Sequence, residues 1–284
     1  MTTPAPTASA ICLGRFAFTL PDGWSVAGRE QKIYRARVSD DLRSGLANLP
    51  GLSATMRVLR SDLPAGDPLL REFTIDGVGP GAWFGLGDPN SPSRRVVLLA
   101  GNSDGGVRME ALATQGREAQ AQEGLRQLAA GYRPGVRTGF CLPLGAFQVD
   151  PGRNESTRLA AANARLPGAD LRFSTNVVST PRTDGPLVDP AADAQAMAGS
   201  GTSLKPLGQT DRQVGGLAGR DSRAELQEPR KPPTLVYRFF HPGQPASATA
   251  PELIIALDGP ASAKAALDAA WNQLLDSVRP VPVR

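Results

Sequence analysis

The chain has 284 residues and a mass of 29.8 kDa, a length that fits one large domain or two of ordinary size. Hydrophobic residues make up 40%, enough to bury a core, and 31 glycines with 26 prolines indicate many turns. The 31 basic and 27 acidic residues are interspersed, which excludes the clustered basic surface typical of nucleic-acid-binding proteins. No apolar run is long enough for a membrane-spanning helix, so no direct membrane insertion is expected.

The elements of the first half follow from its hydrophobic pattern. Residues 1–10 are small, uncharged and proline-bearing, as in a disordered leader or tether. Alternation of apolar and polar residues then predicts strands at 16–20, 31–38, 52–60, 96–100 and 107–113, a helix at 40–49 and a hairpin turn at 101–106.

The most informative feature is an internal repeat. Segments 125–134 and 271–280 match at one constant offset, and the strands at 107–111 and 253–257 fall at the same offset. The openings 11–18 and 140–147 match at a shorter offset, each with a Cys-Leu pair. We therefore expect two related domains in tandem, residues 11–137 and 138–284, of which the second is longer.

Both repeats end in an amphipathic helix. In the second, Leu267, Trp271, Leu274 and Val278 share one helix face, and Pro280 ends the helix. The second repeat also predicts strands at 157–162, 171–178, 217–226 and 235–241, with an insert at 181–205 that contains a short helix at 190–197. The predicted fold class is α+β: two tandem related domains, each a mainly antiparallel sheet with a C-terminal covering helix.

Recognisable catalytic and metal-binding motifs are missing from the sequence. The single histidine, His241, stands at the end of an apolar run, and one histidine with two cysteines is too few for a zinc site. Patterns such as G-x-S-x-G, the P-loop and H-E-x-x-H do not occur. The sequence thus predicts no catalytic residue, no metal and no cofactor, and gives His241 a structural role at a strand end.

Short motifs along the chain carry a family resemblance. They are 12–16 with 20–21, 139–147, Asn154-Glu155, Ser174-Thr175 and 271–280. Together they resemble the type VI secretion lipase immunity family, whose members pair with antibacterial phospholipase effectors of the fourth lipase class. The resemblance spans nearly the whole chain after residue 10.

The resemblance implies a two-domain, periplasmic, non-enzymatic protein. Such a protein binds the cognate phospholipase effector in a hetero-complex and inhibits it by gripping its lid or active-site region between the two domains. Because the sequence shows no secretory or lipoprotein signal, we expect a mature or trimmed form that starts with an added Met1, with lipid anchoring of the precursor left open.

Two other classes remain open from the sequence. An enzyme of unrecognised type would show serine- or metal-dependent activity when purified. A periplasmic module that binds a small molecule or a polysaccharide would bind its ligand with no protein partner.

Interface residues can be suggested only from their chemistry, since tryptophan, tyrosine and arginine are common interface anchors. Segment 77–87 places two aromatics among five glycines, which predicts a loop. Its aromatics either pack on their own domain or contact a partner, and the two arginines just beyond are either a solvated turn or a contact pair. The candidate partner-binding residues are Trp24, Trp83, Phe84, Arg94 and Arg95.

The two cysteines allow two interpretations. Cys12 and Cys141 occupy equivalent first strands of the repeats, and in an oxidising periplasm they can form a disulfide if their Cα atoms lie within about 7 Å. Equally, each is an ordinary small buried residue of its own sheet.

Overall fold

The computed structural model describes residues 10–40, 67, 69–86, 91–102, 105–150, 152, 154–182 and 201–283. Apart from Ala10 and Asp40, the predicted leader at 1–10, helix at 40–49, strand at 52–60 and short helix at 190–197 lie outside the described residues.

The described residues form a sheet-dominated α+β structure, as the sequence predicts. Its strands are β1 (Ile11–Leu13), β2 (Phe16–Phe18), β3 (Trp24–Ile33), β4 (Ala36–Ser39), β5 (Arg71–Ile75), β6 (Gly79–Phe84), β7 (Ser93–Asn102), β8 (Gly105–Thr114), β9 (Tyr132–Pro134), β10 (Phe140–Cys141), β11 (Gly145–Phe147), β12 (Ser156–Asn163), β13 (Asp170–Asn176), β14 (Ser203–Val214), β15 (Leu217–Gln227), β16 (Thr234–His241), β17 (Glu252–Pro260) and β18 (Arg279–Pro280). Its helices are α1 (Glu118–Ala130) and α2 (Lys264–Ser277), the two helices expected from the repeat.

The chain divides into two compact units, each drawn from both halves of the sequence. The first unit comprises Met1–Arg29 and Gly152–Pro280, and the second comprises Glu30–Pro151 and Val281–Arg284. This division differs from the expected tandem domains 11–137 and 138–284, because each opening hairpin belongs with the closing helix of the other repeat.

The first unit is an antiparallel sheet covered on one face by α2. Its strands lie in the order β14-β15-β16-β17-β13-β12. The apolar stripe of α2, including the fully buried Trp271, packs on Phe173 and Phe239 of the sheet. The indole nitrogen of Trp271 donates to Asp221 Oδ1 at 3.0 Å, so the buried polar atom of this side chain is satisfied.

The second unit repeats this arrangement. Its strands lie in the order β5-β6-β7-β8-β4-β3, with β4 paired to the end of β3. Leu125 and Leu128 of α1 pack against Val96, Leu98 and Met109 of the sheet. The repeat found in the sequence therefore corresponds to two equivalent sheet-and-helix layers.

A small three-stranded sheet completes each unit. In the first unit the hairpin β1-β2 pairs with β18, and Arg279 lies opposite Ala17. In the second unit the hairpin β10-β11 pairs with β9, and Arg133 lies opposite Ala146. Equivalent residues of the two repeats therefore pair in the same register. Each opening hairpin, however, pairs with the closing strand of the other repeat.

Two local expectations are wrong, and one strand was not predicted. The predicted strand 31–38 is two strands, because Tyr34 and Arg35 adopt φ of 49° and 69° and form a tight turn between β3 and β4. The predicted glycine-rich loop at 77–87 contains strand β6. Strand β14 was not expected, because its sequence is largely polar and most of its residues are exposed.

Candidate functional site

The five predicted partner-binding residues lie in different environments. Trp24 is in the core of the first unit, and Trp83 is half-buried against the core of the second. Arg94 is 5% exposed and donates to the carbonyl oxygens of Ser91 and Ser93, which makes it a structural residue and not a solvated turn. Only Phe84 and Arg95 are brought together, on the sheet face opposite α1, where Phe84 is 5% exposed and the Arg95 side chain is 39% exposed.

Strand β6 shows why its glycines are needed. A Cβ at Gly81 would lie 2.3 Å from the ring of Phe73 and 2.6 Å from the carbonyl oxygen of Val97. A Cβ at Gly79 would lie 2.1 Å from the carbonyl oxygen of Leu99. These glycines permit close packing inside a sheet, and they are not evidence of a flexible loop.

A row of three side chains crosses β6, β7 and β8 on that outer face. Phe84 lies opposite Arg95, and Arg95 lies opposite Leu112. The Arg95 guanidinium carbon stands 5.9 Å from the centroid of the Phe84 ring, and its Nε lies 3.2 Å from Glu110 Oε1. We call Phe84, Arg95 and Leu112 the Arg95 row.

Leu112 is the most unusual member of the Arg95 row. Its side chain is 66% exposed, although leucine in a strand normally packs inward. The sequence contains a signal for it: Val107, Met109 and Ala111 alternate toward the core, so Leu112 falls on the face where a polar residue is expected. Leu112 was not among the residues predicted to contact a partner.

The first unit carries a groove of about 710 Å³ on the sheet face opposite α2. Its floor includes Phe240 and Pro242, and Arg220 lies opposite Phe240 in the β15-β16 pair. Asp211 on β14 lies opposite Arg220, and Arg182 follows β13. We call this feature the Arg220 groove; none of its residues was singled out from the sequence.

A buried carboxylate lies beside the Arg220 groove. Glu252 is 6% exposed, its Oε2 makes no hydrogen bond among the described residues, and it lies 3.8 Å from Nε of Arg182. Burial raises the pKa of Glu252 above its ordinary value, and the charge of Arg182 partly offsets this rise.

The Asn154-Glu155 motif anchors the first hairpin. Arg15, in the turn between β1 and β2, donates from Nε to Glu155 Oε2 at 2.9 Å and from Nη2 to Oε1 at 2.6 Å. Both side chains are at least 94% buried, and the amide of Gly152 also donates to Glu155. The motif residues of this pair therefore serve the fold.

The remaining chemistry-bearing residues are structural. Nδ1 of His241 lies 2.7 Å from the carbonyl oxygen of Ala218 at the end of β16, as expected for a strand-end residue. Both cysteines, Cys12 and Cys141, are disulfide-bonded. Within the described ranges, no cluster of three or more histidine, cysteine, aspartate or glutamate side chains could hold a metal ion, and no helix is long and apolar enough to cross a membrane.

A comparison with family models identifies the family. The model for the C-terminal domain of Tle cognate immunity protein 4 matches residues 136–283, about half of the chain. The chain belongs to this family. The matched region runs from just before β10 to three residues past β18, so it contains α2, the Arg220 groove and Glu155.

Solved structures of Tle immunity proteins share the fold over nearly the whole chain. The apo immunity protein TplEi of the type VI secretion system of Pseudomonas aeruginosa is 20% identical, with a TM-score of 0.73, and the match covers 96% of this chain and 97% of TplEi. The match to the Tle4–Tli4 complex has 18% identity and a TM-score of 0.71, and it covers 96% of this chain and 97% of the matched chain. TplEi bound to an "L" peptide is 19% identical, with a TM-score of 0.70, and the match covers 96% of this chain and 98% of that chain. No curated protein matches the sequence.

Proposed function

We propose that this protein is a type VI secretion immunity protein that binds a cognate Tle effector and inhibits its phospholipase activity. The match of residues 136–283 to the Tle cognate immunity protein 4 family carries this proposal. The shared fold supports it, since one structure of that fold is a Tle4–Tli4 complex. The protein acts by binding and needs no catalytic residue or cofactor of its own.

The disulfide-bonded cysteines support a periplasmic site of action. Disulfides persist in oxidising compartments such as the bacterial periplasm and are rare in the cytosol. A periplasmic immunity protein meets a phospholipase effector before the effector reaches the membrane. The finer hypothesis, that the protein grips the lid or active-site region of the effector, predicts that the lid loses hydrogen–deuterium exchange on binding.

The Arg95 row is the contact surface that we propose for the second unit. The accessible part of this surface is Arg95, whose side chain is 39% exposed, and Leu112, while Phe84 is buried beneath the guanidinium. Arginine is a frequent interface anchor, and the exposed leucine beside it provides apolar area to bury. Leu112→Asp should therefore weaken effector binding at least tenfold. Leu207→Asp is the matched control, because Leu207 is also exposed, at 42%, but lies on β14 of the first unit.

Direct binding tests the proposal. The protein is mixed with purified Tle effectors of the same organism, and complex formation is followed by size-exclusion chromatography and calorimetry. We expect a stoichiometric complex with a dissociation constant in the nanomolar range or below. This corresponds to a favourable binding free energy of about 12 kcal/mol or more. An effector that does not bind at micromolar concentration would contradict the proposal.

A further inference from the structure

We propose that the turn between β3 and β4, formed by Tyr34 and Arg35, contacts the Tle effector. Arg35 pairs with a carboxylate of the effector, and the Tyr34 ring packs on an apolar group beside that carboxylate. This inference rests on the proposed function and deepens it, because it names a second contact and the chemistry that the effector presents there. Its support comes from the backbone of the turn, from its two side chains and from its place beside Leu112.

The backbone of this turn is strained. Ile33 lies opposite Ala36, so only two residues join the strands. These residues, Tyr34 and Arg35, have φ of 49° and 69°. A two-residue turn of this kind requires left-handed backbone at both positions, which asparagine followed by glycine adopts at the least cost. Tyrosine and arginine are disfavoured there because their Cβ atoms crowd the backbone. The hairpin alone therefore does not explain these residue types, and such outliers cluster at functional sites.

The arginine of the turn is accessible and has no charged partner of its own. Arg35 is exposed, and it makes no ion pair in the part of the chain that the structure describes. The neighbouring cations Lys32 and Arg37 both pair with Glu30, at 3.0 and 2.9 Å. A guanidinium presents its donors in a planar fork that matches a carboxylate with two parallel hydrogen bonds. Arg35 can therefore pair with an effector carboxylate without first breaking an internal ion pair.

The tyrosine of the turn is held in place and still exposes part of its ring. Its hydroxyl group donates to the backbone carbonyl oxygen of Asp150 at 2.6 Å, and Tyr34 is 45% exposed. Because this bond restricts the ring, little conformational entropy is lost when a partner covers it. Tyrosine and arginine are among the residues most enriched at interface hot spots. The turn thus presents two adjacent side chains of the anchoring type.

The turn lies near the end of β8 that carries Leu112. Strands β4 and β8 are antiparallel with Arg37 opposite Glu110, so β8 runs toward Leu112 as β4 runs back toward the turn. Leu112 is 66% exposed and belongs to the Arg95 row, the contact surface proposed for this unit. The turn therefore extends that surface with a cation and an aromatic ring.

A substitution that relieves the backbone separates binding from stability. Glycine adopts positive φ without strain, so Arg35→Gly should melt at the same temperature as the wild type or higher. We expect its dissociation constant for the Tle effector to rise at least about tenfold, because the contact of Arg35 is lost. The loss should be smaller in about 0.5 M salt, since salt screens an exposed ion pair. Tyr34→Asn, which also tolerates positive φ, should weaken binding as well.

Arg230→Gly is the matched control. Arg230 is also an exposed arginine at positive φ, 62°, in the turn between β15 and β16. It belongs to the first unit, and among the described residues it makes no ion pair. Its replacement should affect the melting temperature in the same direction as Arg35→Gly and change the dissociation constant less than about threefold, as is usual outside a hot spot.

A photo-crosslinking amino acid at Lys32, whose side chain is 45% exposed, identifies the effector segment at the turn. Replacing the acidic residue of that segment by alanine should weaken binding to the wild type and cause no further loss with Arg35→Gly. A wild type that binds no effector would overturn the proposed function and this inference with it. A wild type that binds, with Arg35→Gly binding equally well, losing stability together with affinity, or showing no coupling to an acidic residue, would overturn this inference alone.

Discussion

The buried ion pair of Arg15 and Glu155 shows what single residues of a family motif contribute. The pair connects the turn of the first hairpin to the residue that precedes β12, two points 140 residues apart in sequence. Since both side chains are almost fully buried, each depends on the other to compensate its lost hydration. A sequence comparison detects such a motif but does not distinguish this structural role from a role in binding.

We predict that Glu155→Ala destabilises the protein by about 3–5 kcal/mol, because it leaves a buried guanidinium without its bidentate acceptor. Urea unfolding measures the free-energy change. Glu228→Ala is the control, since the pair of Glu228 with Lys231 is exposed and should contribute less than about 1 kcal/mol. Equal effects of the two substitutions would contradict the structural role of Arg15 and Glu155.

The buried Glu252 should give the stability a recognisable pH dependence. Burial raises its pKa above the ordinary value of 4.5, so the folded state holds its proton more tightly than the unfolded state. The stabilisation that Glu252 contributes through its tightly held proton is present below pH 4.5, and it is lost as the pH rises through the raised pKa. Glu252→Gln removes this loss, and Arg182, which is half-exposed, tolerates the change.

We therefore expect Glu252→Gln to equal or exceed the wild type in stability at pH 7.5. The difference in the free energy of unfolding should shrink as the pH falls toward 4.5. Urea unfolding curves of both proteins at pH 4.5, 5.5, 6.5 and 7.5 measure this difference in the free energy of unfolding. Parallel pH profiles for the two proteins would show that Glu252 does not have a raised pKa.

At the scale of elements, the repeat predicts the two helices and their neighbouring strands well. The strong apolar stripe of α2 fixes both its place in the chain and the face that packs on the sheet. The errors arise where a residue type is used against its usual preference. Tyr34 and Arg35 form a turn at positive φ, and the glycines of β6 lie in a strand.

Strand β6 provides a direct test of this explanation. We predict that Gly81→Ala destabilises the protein by about 1–3 kcal/mol, because the added methyl group meets the Phe73 ring and a backbone oxygen. Gly28→Ala is the matched control: Gly28 lies in β3, and a Cβ there has no heavy atom within 4 Å. The control should be neutral or stabilising by up to about 1 kcal/mol. If Gly81→Ala is also neutral, β6 is more flexible than its packing implies.

At the scale of the whole molecule, sequence analysis identifies the repeat but not the exchange of hairpins. The two hairpins have equivalent registers, with Ala17 and Ala146 opposite equivalent arginines, so either could pair with either closing strand. A sequence period shows that segments are equivalent, and it carries no information about which copies pair. The contact surface proposed for the second unit escaped prediction for a similar reason, since it is assembled from three strands.

The state of the cysteines is a second property of the whole molecule. Because both are disulfide-bonded, the denatured, unreduced protein should contain no titratable thiol and the reduced protein two. Ellman titration in denaturant makes this measurement. We also expect reduction to lower the melting temperature, since a disulfide restricts the unfolded chain. Two free thiols in protein purified from the periplasm would contradict the structure at these residues.

The central claim is that this protein inhibits a Tle phospholipase by binding it. The most direct test is a titration of the purified cognate effector with the full-length protein while phospholipid hydrolysis is followed. The proposal predicts a linear fall to zero activity at one equivalent, with Leu112→Asp requiring a large excess. Full hydrolysis in the presence of several equivalents of the wild-type protein would contradict the claim.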